Sequence, residues 1–196
     1  MKKEGLDRKF LNKADLLLSN AISCSTHPFH LCTVATTDGM DVEQRTVVLR
    51  KWDLKRQALM FHTDYRSSKV AALKKNNKCS VLFYSKEDKL QLRFQCVAHI
   101  HYKDKLSDDF FAKATDQQKE CYRYSLSPSS VINTETKEKM LRNDESVKKV
   151  NPYENFSLCI VNFTELDLLH LEFSGHTRVH YSWDSKGDVL AKYIVA

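Results

Sequence analysis

The sequence predicts a mainly β fold of the α+β kind, an antiparallel barrel or sandwich carrying accessory helices. Three observations point there. Six or more short β-rich runs follow one another, helical periodicity interrupts them at only three points, and no internal repeat or low-complexity segment appears. Closing such a sheet removes the exposed edges that many strands otherwise create. The 196 residues are expected to form one domain, 1–196, whose 42% hydrophobic content can fill one core.

Each element has its own signal. Leu6, Phe10, Leu11, Ala14, Leu17, Leu18 and Ala21 recur at helical spacing, which predicts an amphipathic helix over about 4–22. β-Rich runs at 28–37 and 42–52 meet through Asp38-Gly39, a hairpin signal. A third run covers 57–63, and a short helix over 67–75 stops at Asn76-Asn77. Strands at 78–85 and 89–103 flank the charged turn Lys86-Glu87-Asp88. Ser107 is expected to cap a helix over 108–121, with Phe110, Phe111 and Ala114 on one side. A polar insertion, about 106–155 in all, continues through loops with Pro128 and Pro152 and a short helix near 135–143. Strands return at 156–173, 177–183 and 188–195, the last after the turn Ser185-Lys186-Gly187.

Composition excludes several functions. Loops that cradle phosphate with backbone amides need closely spaced glycines, and the four glycines here, Gly5, Gly39, Gly175 and Gly187, stand alone. A P-loop or dinucleotide-binding turn is therefore excluded, and any phosphate must be held by side chains or a plain helix start. The net charge of +6 comes from pairs such as Lys2-Lys3, Lys74-Lys75 and Lys148-Lys149 interleaved with acids. With no basic stripe carrying stacking aromatics, no nucleic-acid partner is expected. No apolar run approaches the ~18–20 residues of a membrane span, so no membrane partner is expected either. Met1-Lys2-Lys3-Glu4 leads into charged residues rather than a signal peptide. Six scattered cysteines without a C-x-x-C pair read as thiols of a reducing compartment, which makes the cytoplasm the default. Neither Cys96 nor Cys121 has an activating base beside it. Among eight histidines, His99 and His101 share a strand face and His170, His176 and His180 cluster late, but spacing supplies no third ligand. No metal site is expected.

Two segments carry candidate chemistry. In Arg45-Thr-Val-Val-Leu-Arg50, two arginines flank an apolar strand and are costly there unless an anion or acid meets them. Five residues apart, they point to opposite faces, so a flat strand cannot aim both at one atom. Solvated ends of the strand would equally explain them. In Phe61-His-Thr-Asp-Tyr-Arg-Ser-Ser-Lys69, a strand end meets a helix start near Ser67. Thr63, Ser67, Ser68, Arg66 and Lys69 there supply an anion site without glycine, against the plainer reading of a capped helix with wet basic side chains.

In register, these segments resemble the pyridoxamine 5′-phosphate oxidase superfamily of FMN-binding split β-barrels. Gln91-Leu-Arg-Phe-Gln-Cys-Val-Ala98 resembles its Gln-x-Arg strand, and Arg178-Val-His180 resembles an Arg-x-His element near the C-terminus. The similarity covers about 25–185 and implies an antiparallel six-stranded split barrel. It also implies a homodimer with FMN at the subunit interface, and a small-molecule substrate that exchanges electrons with the flavin. By this resemblance Arg45 meets the FMN phosphate, and Val47, Val48, Leu49 and Arg50 run along the flavin and ribityl chain. His62 and Thr63 lie over the ribityl-phosphate, and Ser68 and Lys69 stand where the family has an Arg-Lys pair, with Arg66 supplying the lost charge. Gln91 meets the flavin ring, Ser129 comes from the partner's loop, and Arg178 and His180 position substrate.

The chain departs from that pattern on the substrate side. Phe111 and Thr115 replace a Tyr and an Arg that grip substrate phosphate, and Pro128 replaces a Gln. A Trp that packs on the flavin is missing around Leu171 to Ser174, and the chain ends Tyr193-Ile-Val-Ala196 in place of Arg-Leu-Ala-Pro. Vitamin B6 oxidation is therefore not expected. The alternative on the same barrel is a non-catalytic flavin or haem carrier or sensor.

Overall fold

The computed structural model describes residues 5–184 and 186–196, with only the backbone of Leu6 and Asp7. The expected helix start at residue 4, the Met1-to-Glu4 segment and Ser185 of the expected turn lie outside the described residues.

The first helix, α1, spans Leu6–Ala21 and buries Leu11, Ala14, Leu18 and Ala21, the stripe its spacing predicts. The following run begins with a 3-10 turn at Pro28–His30, whose fixed proline φ starts the bend, before strand β1 at Leu31–Thr37. β1 pairs with β2 (Val42–Val48) around Asp38-Gly39, and the expected strand 42–52 then breaks at Leu49-Arg50 and resumes as β3, Lys51–Asp53. β4 (Ala58–Asp64) leads into α2 (Ser68–Lys75), and β5 (Lys78–Ser85) and β6 (Leu90–His101) follow.

One helix expected over 108–121 is two. Asp104 accepts from the Ser107 amide at 2.9 Å while the Ser107 hydroxyl accepts from the Asp104 amide at 2.9 Å, a reciprocal cap that starts α3 at Lys105. Ser107 is thus the third residue of the helix, not its cap. α3 stops at Lys113, and Thr115 with Gln118 forms a second capping box that opens α4 at Asp116–Glu120. α5 covers Thr134–Leu141. β7 runs Phe156–His170, and β8 (Thr177–Trp183) and β9 (Val189–Ile194) complete the order.

All the described strands pair antiparallel, in the order β2-β1-β5-β6-β7-β4-β3, with β8 and β9 added beyond β7. The two ends of that row, β2 and β3, are consecutive in the chain. Leu49 and Arg50 therefore close the sheet on itself: the Leu49 amide donates to the His30 carbonyl at 2.9 Å, and the Arg50 amide donates to Met60 at 2.8 Å. Counting β2–β3 as one bent strand gives a six-stranded barrel. β7 serves two partners on one side, β4 along Phe156–Asn162 and β8 along Glu165–His170, which splits the barrel wall.

The interior holds Val34, Val47, Leu49, Phe61, Val81, Phe83, Phe94 and Phe163, with Trp52 stacked on Phe163 at 5.3 Å between ring centroids. β4 is buried on both faces. Leu59 and Phe61 face the interior, while Ala58 and Met60 pack outside against Leu158 and Phe110, so α3 covers that wall. α2 buries Val70 and Leu73 and lies against β1 and β6.

Candidate functional site

The cluster at the start of α2 is built by three strand ends. Thr36, from the end of β1, and Arg45, from β2, lie on the same side of their hairpin because Val34 pairs with Arg45 and Thr36 with Glu43. Arg45 donates from Nη1 to Thr36 Oγ1 at 2.7 Å and to the Glu43 carbonyl at 3.0 Å. Its Nη2 meets Glu43 Oε2 at 2.6 Å. The same carboxylate oxygen accepts from the Ser68 hydroxyl at 2.8 Å. Thr63, buried at the end of β4, accepts from Lys69 Nζ at 3.1 Å and lies 3.4 Å from the Ser67 hydroxyl.

Arg45, Thr63, Ser68 and Lys69 thus come together as expected at one helix start. Burial, and then the neighbouring Arg45 charge, hold the Lys69 ammonium below its ordinary pKa, outweighing the attraction of Asp64 and Glu43. Two adjacent, half-buried cations with hydroxyl donors around them are suited to meet an anion. Glu43 is an acid standing in that place. A cavity of about 220 Å³ opens beside it, lined by Thr36, Glu43, Ser68 and Lys75.

Arg66 does not join this cluster. Its Nε and Nη2 bind Asp64 at 3.0 and 2.7 Å, Nη1 donates to the Ser125 carbonyl at 2.7 Å, and Nη2 also reaches the Tyr124 and Leu126 carbonyls. The charge expected to replace that of an arginine at position 68 is thereby committed to Asp64 and to the loop after α4. Ser129 belongs to that loop, with a left-handed φ of 68°, and lines a separate cavity with Arg66, Tyr124 and Met140.

Arg50 lies on the opposite face from Arg45, as strand alternation requires, with Val47 and Leu49 between them turned into the core and Val48 half-buried. Arg50 Nε and both ring nitrogens of His62 are buried without a hydrogen-bond partner. Burial, followed by the Arg50 charge, depresses the His62 pKa to about 4, so its imidazole is neutral at pH 7. The ring packs edge-on against Phe156 at 4.9 Å and Phe110 at 6.0 Å. Three unsatisfied buried nitrogens on one wall fit a polar ligand group there.

Gln91, Arg178 and His180 occupy another face. Gln91 alternates with buried Leu90 and Leu92 and so faces outward on β6, where its rung continues through Leu169 to Arg178. The next rung is Arg93, Asp167 and His180. Arg178 Nη2 binds Asp167 at 2.6 Å, and Arg93 binds the same carboxylate. Burial raises the Asp167 pKa, but hydrogen bonds from Arg178 and Arg93 outweigh it and lower it overall. His180 Nε2 lies 3.5 Å from Glu165. Within one chain, the structure does not bring this face to Arg45. His101 holds Asp104 at 2.8 Å, which accounts for one half of the His-x-His pair as a helix-start contact. Among the described residues no group of three or more His, Cys, Asp or Glu side chains could hold a metal, and no helix is long and apolar enough to cross a membrane.

Sequence reasoning missed Thr36 and Glu43. The hairpin at Asp38-Gly39 carried the signal, because that turn sets the register that brings both to Arg45.

Comparison with known proteins follows the same lines. Residues 12–102 match the family described as "Pyridoxamine 5'-phosphate oxidase, FMN-binding domain". No curated protein sequence matches the chain. Among solved structures, a pyridoxamine 5′-phosphate oxidase-related, FMN-binding protein from Nostoc punctiforme superposes with a TM-score of 0.74 at 16% identity, covering 99% of each chain. PhzG from Burkholderia lata, solved with tetrahydrophenazine-1-carboxylic acid, has a TM-score of 0.67 at 15% identity, over 96% of this chain and 90% of its own. A Clostridium acetobutylicum protein related to general stress protein 26 has a TM-score of 0.53 at 17% identity, over 96% and 97%. The superpositions establish the split-barrel architecture, and residues 12–102 are similar to the pyridoxamine 5′-phosphate oxidase FMN-binding domain family.

Proposed function

We propose that the chain is an FMN-binding flavoprotein and an oxidoreductase acting on a small organic substrate. The observation that carries this reading is the convergence of Arg45, Thr63, Ser68 and Lys69 at the start of α2, with a carboxylate already drawn into the space between Arg45 and Ser68. Those four residues hold the phosphate of FMN, a dianion well matched to a guanidinium beside an ammonium. Val47, Val48, Leu49 and Arg50 follow the ribityl chain and ring, and the bare nitrogens of His62 and Arg50 supply polar contacts on that side. Bound FMN supplies two-electron redox chemistry, and the chain binds, orients and shields it.

Arg66 holds the loop that carries Ser129, so its part in the site is to position that loop. Gln91, Ser129, Arg178 and His180 reach the cofactor from a second copy of the chain, a reading that the superfamily's interface sites support and that makes the protein a homodimer. The chain acts as one domain in the cytoplasm.

A second reading, a flavin or haem carrier without turnover, draws on a specific observation. Arg178, the residue expected to position substrate, is tied to Asp167 together with Arg93. An absorbance spectrum of the purified protein, before and after incubation with FMN, distinguishes flavin, haem and neither. The expected result is a flavin spectrum. A colourless protein that stays colourless after FMN is added overturns the proposal. Aerobic turnover of pyridoxamine 5′-phosphate would contradict the argument from Phe111 and Thr115 against vitamin B6 oxidation.

A further inference from the structure

We infer that Glu43 is an internal competitor for the phosphate position, an acidic arm that must leave the cluster before a phosphate-bearing ligand can enter. The inference rests on the FMN reading above and concerns how tightly, and with what selectivity, that site is filled.

Glu43 sits two residues before Arg45 and pairs with Thr36 across the hairpin, so its side chain projects on the same face as both. One of its oxygens, Oε2, stands 2.6 Å from Arg45 Nη2 and 2.8 Å from Ser68 Oγ. That single point is where a guanidinium donor and a hydroxyl donor converge, the position a phosphate oxygen would take. Arg45 Nη1 is held independently by Thr36 and the Glu43 carbonyl, so the arginine stays aimed when the carboxylate departs. Lys69 is bonded to Thr63 and not to Glu43, so the carboxylate neutralises only part of the site.

The arm is free to move. The Glu43 side chain is 54% exposed, against 18% for Arg45. An exposed carboxylate gives up a modest ion pair when it swings into water, because the pair is screened there and holding it costs side-chain entropy. A phosphate makes the same two contacts, adds Lys69, and carries up to twice the charge. It therefore displaces the carboxylate, at a cost in apparent affinity equal to the contacts Glu43 gives up. A ligand without phosphate leaves Glu43 in place and bears no such cost, so the arm narrows the gap between FMN and riboflavin.

Equilibrium binding of FMN and of riboflavin to the purified full-length chain tests this, using the wild type, Glu43→Gln, Glu43→Ala and Arg45→Ala. The account expects Glu43→Ala to bind FMN up to roughly fivefold more tightly than the wild type, the fold-change matching loss of an exposed ion pair of about 1 kcal/mol. Glu43→Gln keeps the shape, loses the charge and is expected to fall between the two. Riboflavin affinity stays level across all three. Weaker FMN binding by Glu43→Ala would show that the carboxylate orients Arg45 instead, and overturns the inference. Equal tightening of FMN and riboflavin also overturns it, because phosphate would then not be the competitor. FMN binding that is lost in Arg45→Ala yet unchanged by both Glu43 substitutions overturns the inference while leaving the FMN reading standing. No FMN binding by any of the four proteins overturns both.

Discussion

Lys69 shows how far function and stability pull apart at a single residue. Its ammonium is disfavoured by burial and by Arg45, and a phosphate between the two cations would relieve their repulsion. Lys69→Met should therefore stabilise the ligand-free protein by about 1 kcal/mol in chemical denaturation while weakening FMN at least roughly tenfold. A destabilised variant with unchanged FMN affinity would contradict this. His62 makes a pH prediction. Its folded-state pKa of about 4 lies below the ordinary 6.5, so on acidification the unfolded chain takes up the proton first. Stability is full above pH 6.5 and declines between 6.5 and about 4, by about 2–3 kcal/mol. Unfolding free energies of His62→Phe, whose ring suits the Phe110 and Phe156 contacts, should lose that acid limb. Arg45, Thr63 and Lys69 were legible because strand alternation and a helix start fix them locally. The role of Arg66 was not, because its partners, the carbonyls of residues 124–126, lie about sixty residues further along the chain.

Between residue and barrel stand the elements, and here the Asp64–Arg66 pair is the joint. Asp64 is only 8% exposed, and Arg66 ties it to the Tyr124–Leu126 carbonyls, which Asn155 secures through Tyr122 and Tyr124 from the other side. Arg66→Ala leaves a buried carboxylate without its guanidinium and the Ser125 and Leu126 carbonyls without that donor, at a cost of about 2–3 kcal/mol in urea unfolding. It should also speed limited proteolysis of the segment around Pro128, where a merely solvated arginine would change neither. Helix boundaries were legible only where the cap was unambiguous. α2 begins beside Ser67 as read, whereas α3 begins at Lys105, two residues before the expected serine, because Asp104 and Ser107 satisfy each other's backbone donors. Two candidate caps three apart cannot be ranked without knowing where β6 releases the chain.

At the scale of the whole molecule the barrel depends on the two-residue bend at Leu49-Arg50. Leu49 is 1% exposed and sits where β2 and β3 join opposite edges of the sheet. Leu49→Ala should cost about 2–4 kcal/mol, measured by thermal or denaturant unfolding, and should lower FMN affinity with it, since Arg45 and Arg50 flank the bend. The strands themselves were legible from short runs and turns, and the β1–β2 hairpin from Asp38-Gly39, whereas the pairings β1–β5 and β4–β7 join strands far apart in sequence. Where the barrel closes was not legible, since a run reading as one strand over 42–52 carries no local mark of the break that lets it pair with β1 and β4 in turn. What decides between a barrel that carries flavin and one that merely resembles such barrels is the phosphate. The most direct measurement is a fluorescence titration of the full-length protein with FMN and, in parallel, riboflavin. The account predicts saturable quenching by FMN at one per chain, with riboflavin at least roughly tenfold weaker and the difference abolished in Arg45→Ala. Equal affinities for the two flavins, or no quenching by either, would contradict it.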